Sequence, residues 1–323
     1  MTTAAPLGEF DLIAKYFSRP AARAVLGVGD DCALLAVPEG MRLAVSTDML
    51  VEGRHFLSTV DPQALGHKAL AVNLSDLAAC GASPVAFTLA LAAPRADVAF
   101  FEGFSRGLLA LADEHGCELV GGDTTQGPLN VCITVFGIVP VGQALLRSGA
   151  RDGDDLYVSG TLGDARLALE VFRGHVALSD GGFARARIAM ERPVPRVALG
   201  VALRGVATSA IDLSDGLLGD LGHVLRASTL GASVQVDAIP RSELLRGLPL
   251  PWQRECTLAG GDDYELLFCA PPERSERVAA AARSAGVDVT RIGRVEARPG
   301  LRLVDRDGQP VAPAFAAFDH FRT

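Results

Sequence analysis

Apolar residues recur along the chain at two spacings: the three-to-four spacing of a helix buried on one side, and the alternation of a half-buried strand. The first predicts a helix over Glu9 to Phe17. Alternation over Arg42 to Ser46 predicts a strand that ends on Ser46-Thr47-Asp48. A long helical stretch follows from Pro62 to Cys80, then a strand from Val85 to Ala92 and a helix from Asp97 to His115, stopped by Gly116. Strands at Glu118 to Val120 and Leu129 to Val139 complete the first half. Helices and strands mix here without strict alternation, which reads as α+β with a partly antiparallel sheet.

Residues 140–155 turn polar and Gly-rich, through Gly142, Ser148-Gly149 and Gly153. A boundary is therefore predicted there, dividing an N-terminal domain, 1–145, from a C-terminal α/β domain, 146–323. The second half predicts strands at Leu156 to Ser159, Ser209 to Leu213, Ser233 to Val236, Glu265 to Cys269, Val289 to Ile292 and Leu301 to Val304. Helices are predicted over Asp164 to Phe172, Pro195 to Leu203, Leu217 to Ala227 and Glu273 to Ala285. Two words occur in both halves, Leu-Ser-Asp at 74–76 and 213–215 and Gly-Gly-Asp at 121–123 and 260–262. They hint that both domains offer carboxylates in similar turns.

Composition narrows the chemistry. At 323 residues, nearly half of them apolar, the chain has material for two cores. Its longest apolar stretch, Val85 to Ala93, is far short of a bilayer span, so no membrane role is expected. The N-terminus lacks the basic-then-apolar pattern of a secretory signal, which reads as a cytoplasmic protein. Six cysteines form no Cys-x-x-Cys pair and read as buried thiols. A net charge of −8 argues against a nucleic-acid partner and, for a protein that handles phosphates, asks metal ions to supply positive charge. The two lysines, Lys15 and Lys68, lie in no P-loop, and no Gly-x-Gly-x-x-Gly fingerprint opens a helix.

Five motifs carry candidate chemistry. Gly27-Val28-Gly29-Asp30-Asp31 sets two carboxylates after a glycine bend, and Ser46-Thr47-Asp48 sets two hydroxyls beside one; both suit hard Mg2+. Each taken alone reads equally as a turn or a cap. Asn73-Leu74-Ser75-Asp76 falls in an apolar helical segment, where polar groups cost stability unless paired or bound to metal. In Gly121-Gly122-Asp123-Thr124-Thr125 paired glycines expose N–H groups that suit phosphate. Asp212-Leu213-Ser214-Asp215-Gly216 ends a strand and opens a helix, whose N-terminus suits an anion. If several of these carboxylates converged, each pair ~4 Å apart would repel by roughly 4 kcal/mol at an effective dielectric of ~20, so divalent cations would be needed. Gly160-Thr161-Leu162-Gly163-Asp164 resembles a phosphate loop, but a turn with a helix cap is the better reading.

This ordered set resembles the thiamine-monophosphate kinases, a family of the aminoimidazole ribonucleotide synthetase superfamily. The resemblance runs from Gly8-Glu9-Phe10 to Phe318-Asp319-His320-Phe321 and includes Gly260-Gly261-Asp262-Asp263-Tyr264-Glu265-Leu266. It implies an N-terminal domain that dimerises through its sheet, a C-terminal domain completing the nucleotide and substrate sites, and Mg-dependent transfer of the ATP γ-phosphate to thiamine monophosphate. The products would be thiamine diphosphate and ADP, in the last step of thiamine diphosphate biosynthesis. Carried over by position, Asp31, Ser46, Thr47, Asp48, Asp76, Asp123, Asp212 and Asp215 would hold several Mg2+ ions, with K+ a candidate further ion. Gly122, Asp123, Arg147 and Ser214 would contact ATP, and His55, Asp262 and Phe315 the thiamine phosphate. Two positions depart from the family pattern: Asp262 stands where Glu is usual and Phe315 where Trp is.

A phosphate monoester is mostly dianionic at neutral pH, so the acceptor needs no general base and no catalytic residue of that kind is expected. The expected chemistry is alignment and charge neutralisation in a direct in-line transfer. Arg147 sits in the linker-like Leu146-Arg147-Ser148-Gly149, where phosphate contact and a solvated loop arginine are both open. His67, His115, His175 and His223 read as surface or packing residues. The competing readings are a superfamily enzyme with another substrate, such as a purine-pathway or selenophosphate synthetase, and a non-catalytic Mg-nucleotide sensor.

Overall fold

The structure, a computed structural model, describes residues 8–312, so Phe315 and the C-terminal Phe318-Asp319-His320-Phe321 lie outside the described residues. The chain divides into two compact units: residues up to Leu77 with Ser83–Val141, and Ala78–Ala82 with Gly142 onward.

In the first unit a short helix α1 (Glu9–Leu12) runs into a single π-type turn over Ile13–Phe17. There follow β1 (Met41–Val51), α2 (Pro62–Ala79), β2 (Ser83–Ala93), α3 (Val98–His115), β3 (Glu118–Gln126) and β4 (Asn130–Pro140). The sheet has the order β1-β4-β2-β3; β4 runs antiparallel to both neighbours, while β2 and β3 are parallel across the α3 crossover. Asp97 caps α3 by accepting from the Ala99 and Phe100 N–H groups, and Gly116 ends it in the left-handed conformation, so both ends follow local rules.

α2 organises this unit. Its apolar residues surround the whole helix, and Leu65, Leu70, Ala71, Leu74 and Leu77 are at most 1% exposed. A helix apolar on every side has to be buried on every side. α3 approaches it closely because two glycines permit it. A Cβ on Gly66 would fall 2.0 Å from the Phe104 carbonyl oxygen, and one on Gly107 would fall 1.9 Å from that of Gln63. On its other side α3 meets Tyr16 and Phe17, whose rings pack on Phe101 and Phe104 at centroid distances of 6.0 to 6.4 Å.

One face of the sheet is less covered. Along β1, Leu43, Val45 and Met49 are 42%, 55% and 53% exposed and pair in register with Ile138, Phe136 and Cys132 of β4. Elsewhere in the sheet Phe136 and Ile138, like Ala24, Ala33 and Leu35 of the irregular 24–35 segment, pack against a buried cluster of Val85, Ala86 and Val120.

The second unit holds β5 (Asp155–Ser159), α4 (Asp164–Phe172), α5 (Asp180–Glu191), α6 (Val197–Ala202), β6 (Ser209–Asp212), α7 (Leu217–Ser228) and β7 (Gly231–Gln235). α8 (Glu243–Arg246), α9 (Leu250–Ala259), β8 (Leu266–Ala270), α10 (Ser275–Ala285), β9 (Val289–Glu296) and β10 (Gly300–Val304) follow. Its sheet has the order β10-β7-β9-β5-β8-β6, antiparallel except for the β10–β7 pair. Every residue of β5 and β8 is buried, as continuous apolar runs in central strands require. The mixed sheets bear out the α+β expectation.

Three expectations need correction. β1 extends to Val51, so Ser46-Thr47-Asp48 lies inside the strand and not at its end. Polar residues facing a buried helix do not stop a strand when the helix supplies their partners. β3 extends to Gln126, so Gly121-Gly122-Asp123 is also strand, with a register shift opposite Phe87 and Thr88. Its Gly122 is required by close approach, since φ is +148° and a Cβ would lie 1.9 Å from the Leu89 carbonyl oxygen. Helices α5, α8 and α9 were not expected; α5 (DGGFARARIAME) opens on two glycines and intersperses charged with apolar residues, and gains its order from a Ser179 cap and from burying Ala186 and Met190 in a cluster with α4 residues.

Gly66→Ala is expected to destabilise the protein by about 3 kcal/mol, because the intruding methyl meets backbone rather than a side chain that can turn away. Thermal denaturation of this variant against an exposed Gly→Ala control at Gly181 measures it, as nothing stands near a Cβ there.

Candidate functional site

In the first unit β1 alternates, so Ser46 and Asp48 are half-buried while Thr47 faces the other side, exposed, its hydroxyl 2.8 Å from that of Thr134 in the opposite β4 position. On the α2 side the Ser46 hydroxyl donates to the Asp76 carboxylate. One turn earlier, Asn73 Oδ1 accepts the Asp48 N–H at 3.0 Å, while Asn73 Nδ2 donates to the Ala69 carbonyl at 3.0 Å. Asn73 is 1% exposed, and both its amide oxygen and its amide nitrogen are bonded. It was seen in sequence only as part of a motif; its i, i+3 spacing from Asp76, which puts both on one helix face, is the signal for its role.

The other first-unit candidates stand apart from this group. Asp30 and Asp31 are exposed, in a bend where Asp30 Oδ1 accepts the Asp31 N–H at 2.8 Å. Asp123 is exposed on β3. Register aligns Asp48, Ile133, Leu89 and Gly122 in one row across the sheet, and Met49, Cys132, Ala90 and Asp123 in the next. β1 and β3 are the two edges of four strands, about 14 Å apart at ~4.8 Å per strand. Within one chain Asp48 and Asp123 therefore cannot ligate the same ion.

His55 lies on a tight turn after β1. The Val51 N–H donates to His55 Nδ1 at 3.0 Å, and the His55 and Arg54 N–H groups donate back to the Val51 carbonyl. An imidazole that accepts at Nδ1 carries its hydrogen on Nε2. The same turn, through Glu52 and Phe56, borders a cavity of about 480 Å3 walled by Leu65, Phe100 and Leu129 and flanked by Asp61 and Asp97.

In the second unit Asp212 ends β6 and is buried, and the chain that follows is bonded to the Gly260-Gly261-Asp262-Asp263 segment. The Leu213 N–H donates to the Glu265 carbonyl, Tyr264 N–H to the Leu213 carbonyl and Asp262 N–H to the Ser214 carbonyl, at 2.8 to 2.9 Å. Asp262 and Tyr264 both adopt left-handed backbone, φ +67° and +51°, which costs of order 1 kcal/mol or more each for side chains of this size. The Tyr264 hydroxyl donates to Asp262 Oδ1 at 3.1 Å. Glu265 beneath is held by the Arg196 guanidinium and the Ser159 hydroxyl. This segment thus orients Asp262 on a strained but firmly bonded frame.

Carboxylates from within the chain take N–H groups at the starts of α7 and α4. The Asp215 and Gly216 N–H groups, read in sequence as anion donors, point to Asp220 Oδ2 at 3.1 Å each. Burial and then the neighbouring Asp215 charge push the Asp220 carboxyl up to about 7, against those hydrogen bonds. Likewise the Gly163 N–H donates to Asp263 Oδ1 at 2.9 Å, and α4 starts at Gly163 with no side-chain cap, so the Gly160–Asp164 segment is a turn without the expected cap. Asp263 is driven well above the usual carboxylate range by burial, which outweighs that bond. Sequence reading passed over Asp220, Asp263 and Arg196 because nothing local distinguishes an internal capping carboxylate from a ligand.

Arg147 is exposed on the loop before β5, where its carbonyl accepts from the Ser228 hydroxyl. His223, read in sequence as a surface residue, feels both Arg147 and Asp215. Burial, Arg226 and Arg147 lower its proton affinity, and Asp215 opposes them. His223 itself lies in the middle of α7, where its ring is 3.0 Å from the Arg226 guanidinium.

The donors fit Mg2+ in kind: carboxylates and a hydroxyl, no thiolate or imidazole. Among the described residues no three His, Cys, Asp or Glu side chains form a metal cage. The paired donors Ser46 and Asp76 match the one or two protein ligands Mg2+ takes when phosphates and water supply the rest. Among the described residues no helix is long and apolar enough to cross a membrane.

Residues 29–139 match the family described as AIR synthase related protein, N-terminal domain, and residues 151–306 its C-terminal domain. The chain is similar to the thiamine-monophosphate kinase of Salmonella typhimurium, 47% identical over 326 residues, covering 98% of this chain and 99% of that one. Among solved structures it is similar to the thiamine-monophosphate kinase from Stenotrophomonas maltophilia K279a, with TM-score 0.84 and 43% identity over 93% of this chain and 95% of that one. It is also similar to AaThiL complexed with AMPPCP and TMP, with TM-score 0.77 and 30% identity over 88% and 89%.

A buried carboxyl with a raised pKa keeps its proton in the folded chain and releases it on unfolding above pH ~3.9, so it lowers stability as pH rises from ~4 toward the folded value. Asp263→Asn keeps an acceptor for the Gly163 N–H and removes that proton. Denaturant titrations at several pH values are expected to show a shallower loss of stability with rising pH in Asp263→Asn than in the parent.

Proposed function

Because the chain belongs to the thiamine-monophosphate kinases, within the AIR synthase related proteins, we propose that it transfers the γ-phosphate of ATP to thiamine monophosphate, giving thiamine diphosphate and ADP. The observation that carries the reading is full-length similarity to enzymes of that name, supported by a structural relative that holds both an ATP analogue and TMP. This is the last step of thiamine diphosphate biosynthesis.

Asp31, Ser46, Thr47, Asp48, Asp76, Asp123, Asp212 and Asp215 are the proposed Mg2+ ligands, and the separation of Asp48 from Asp123 supports more than one ion. Mg2+ at such a site would neutralise phosphate charge and polarise the transferred group. For Thr47 the side-chain direction favours Thr134 over the Ser46–Asp48 face. Gly122, Asp123, Arg147 and Ser214 are proposed to contact ATP. Arg147 brings a permanent charge on an exposed loop, suited to a phosphate.

His55, Asp262 and Phe315 are proposed to meet the acceptor. An Nε2–H donor suits a phosphate oxygen, and the aromatic and acidic walls beside the same turn suit a cationic heteroaromatic ring. Asp262, held by Tyr264, offers an acceptor to a ring amine. The acceptor phosphate is its own nucleophile, so these residues need only bind and align it, and transfer is direct and in line. The uncovered apolar positions Leu43, Val45 and Met49 support a homodimer formed through the first unit's sheet.

The test is purified protein with ATP and Mg2+, with and without thiamine monophosphate, following ADP and thiamine diphosphate. Acceptor-dependent formation of both in equal amounts is expected; ADP formation indifferent to the acceptor would overturn the reading. Asp48→Asn and Asp212→Asn are expected to lower kcat by about 100-fold or more, the scale for removing one preorganised electrostatic partner, and chelation of Mg2+ is expected to abolish turnover.

A further inference from the structure

Of the 30 basic residues in the chain only Lys15 and Lys68 are lysine. Lys68 is 1% exposed and heads the fully buried side chains by volume among the described residues, in the middle of α2 beside Leu65 and Leu70. A buried amine is costly unless it is hydrogen-bonded, and an apolar side chain of similar volume is often the more stable choice. Its Nζ donates to the His55 carbonyl oxygen at 3.0 Å.

That bond belongs to a series. Going along α2 from its C-terminal end, Asp76 meets Ser46, Asn73 meets the Asp48 N–H, and Lys68 meets the His55 carbonyl. Helix and strand run in opposite directions, and three polar side chains of one fix three successive stations of the other. The first two stations carry proposed metal ligands; the third is the turn that carries the proposed acceptor contact. The His55 peptide is held from both sides, by Lys68 at its carbonyl and by Val51 at its N–H and Nδ1. The His55 carbonyl is a point acceptor, which a compact ammonium on a flexible stem suits and the planar fork of a guanidinium does not match.

We propose that Lys68 is a positioning residue for phosphoryl transfer: from within the core it sets the turn on which the His55 imidazole presents Nε2–H to the acceptor phosphate. This rests on the kinase reading above. Two arms test it in the full-length chain. In steady-state assays with saturating ATP and Mg2+, Lys68→Met is expected to raise KM for thiamine monophosphate about tenfold with kcat changed far less. Lys68→Arg is expected not to restore it. Lys68→Met combined with His55→Ala is expected to be no worse than His55→Ala alone, since both remove one function. An unchanged KM in Lys68→Met, or losses that multiply in the double variant, would overturn the proposal.

The second arm needs no turnover. Nitrogen-15 spectra of histidine side chains should show His55 as the Nε2–H tautomer in the parent and a shift toward the solvent-averaged tautomer mixture in Lys68→Met, or in Lys68→Gln if the Met variant fails to fold. An identical His55 signal in a folded variant refutes the anchoring. A parent that fails to phosphorylate thiamine monophosphate while this spectral shift is present refutes the acceptor instead, leaving the anchoring intact.

Discussion

A helix that is apolar around its whole circumference cannot sit at a surface, and α2 accordingly lies at the centre of the first unit. Everything polar on it is therefore forced to find a partner inside the protein. Lys68, Asn73 and Asp76 find theirs along β1 and the turn beyond it, which is how a strand bearing Ser46 and Asp48 can remain regular while its polar face looks inward. The same constraint couples packing to chemistry. The glycines that let α3 approach α2, Gly66 and Gly107, help fix the helix that fixes the ligands. A site built on a helix and strand in this way is held more rigidly than one on loops.

The second unit solves a related problem by other means. Its candidate groups sit on two irregular segments, 212–216 and 260–265, that are bonded to each other through their backbones. Two of its carboxylates, Asp220 and Asp263, are spent on backbone N–H groups at helix starts. The left-handed Asp262 and Tyr264 mark where the frame is strained, and strain of that kind persists only where surrounding bonds over-determine it.

The two recurring words in the sequence have ended in unlike settings. Leu74-Ser75-Asp76 is mid-helix and Leu213-Ser214-Asp215 lies between a strand and a helix. Gly121-Gly122-Asp123 is an edge strand, whereas Gly260-Gly261-Asp262 is a loop. Similar words thus recur without structural equivalence. The proposed transfer between two phosphates would ask no more than oxygen donors of this kind, because a phosphate nucleophile needs no activation and has only to be aligned and its charge offset.

Long periodic elements were legible from sequence: α3 with its Asp97 cap and Gly116 stop, α4, α7 and the central strands follow local rules of period, capping and burial. The absence of a P-loop and the family were legible too, since they depend on residue type and order. What sequence could not decide is which side each donor faces and what already occupies it. Strand alternation separates Thr47 from Ser46 and Asp48, four-strand order separates Asp48 from Asp123, and Asp220 takes the N–H groups that seemed offered to an anion. These outcomes depend on contacts between residues 5 to 100 positions apart, such as Asp215 with Asp220 and Gly163 with Asp263, and only the tertiary structure brings such partners together.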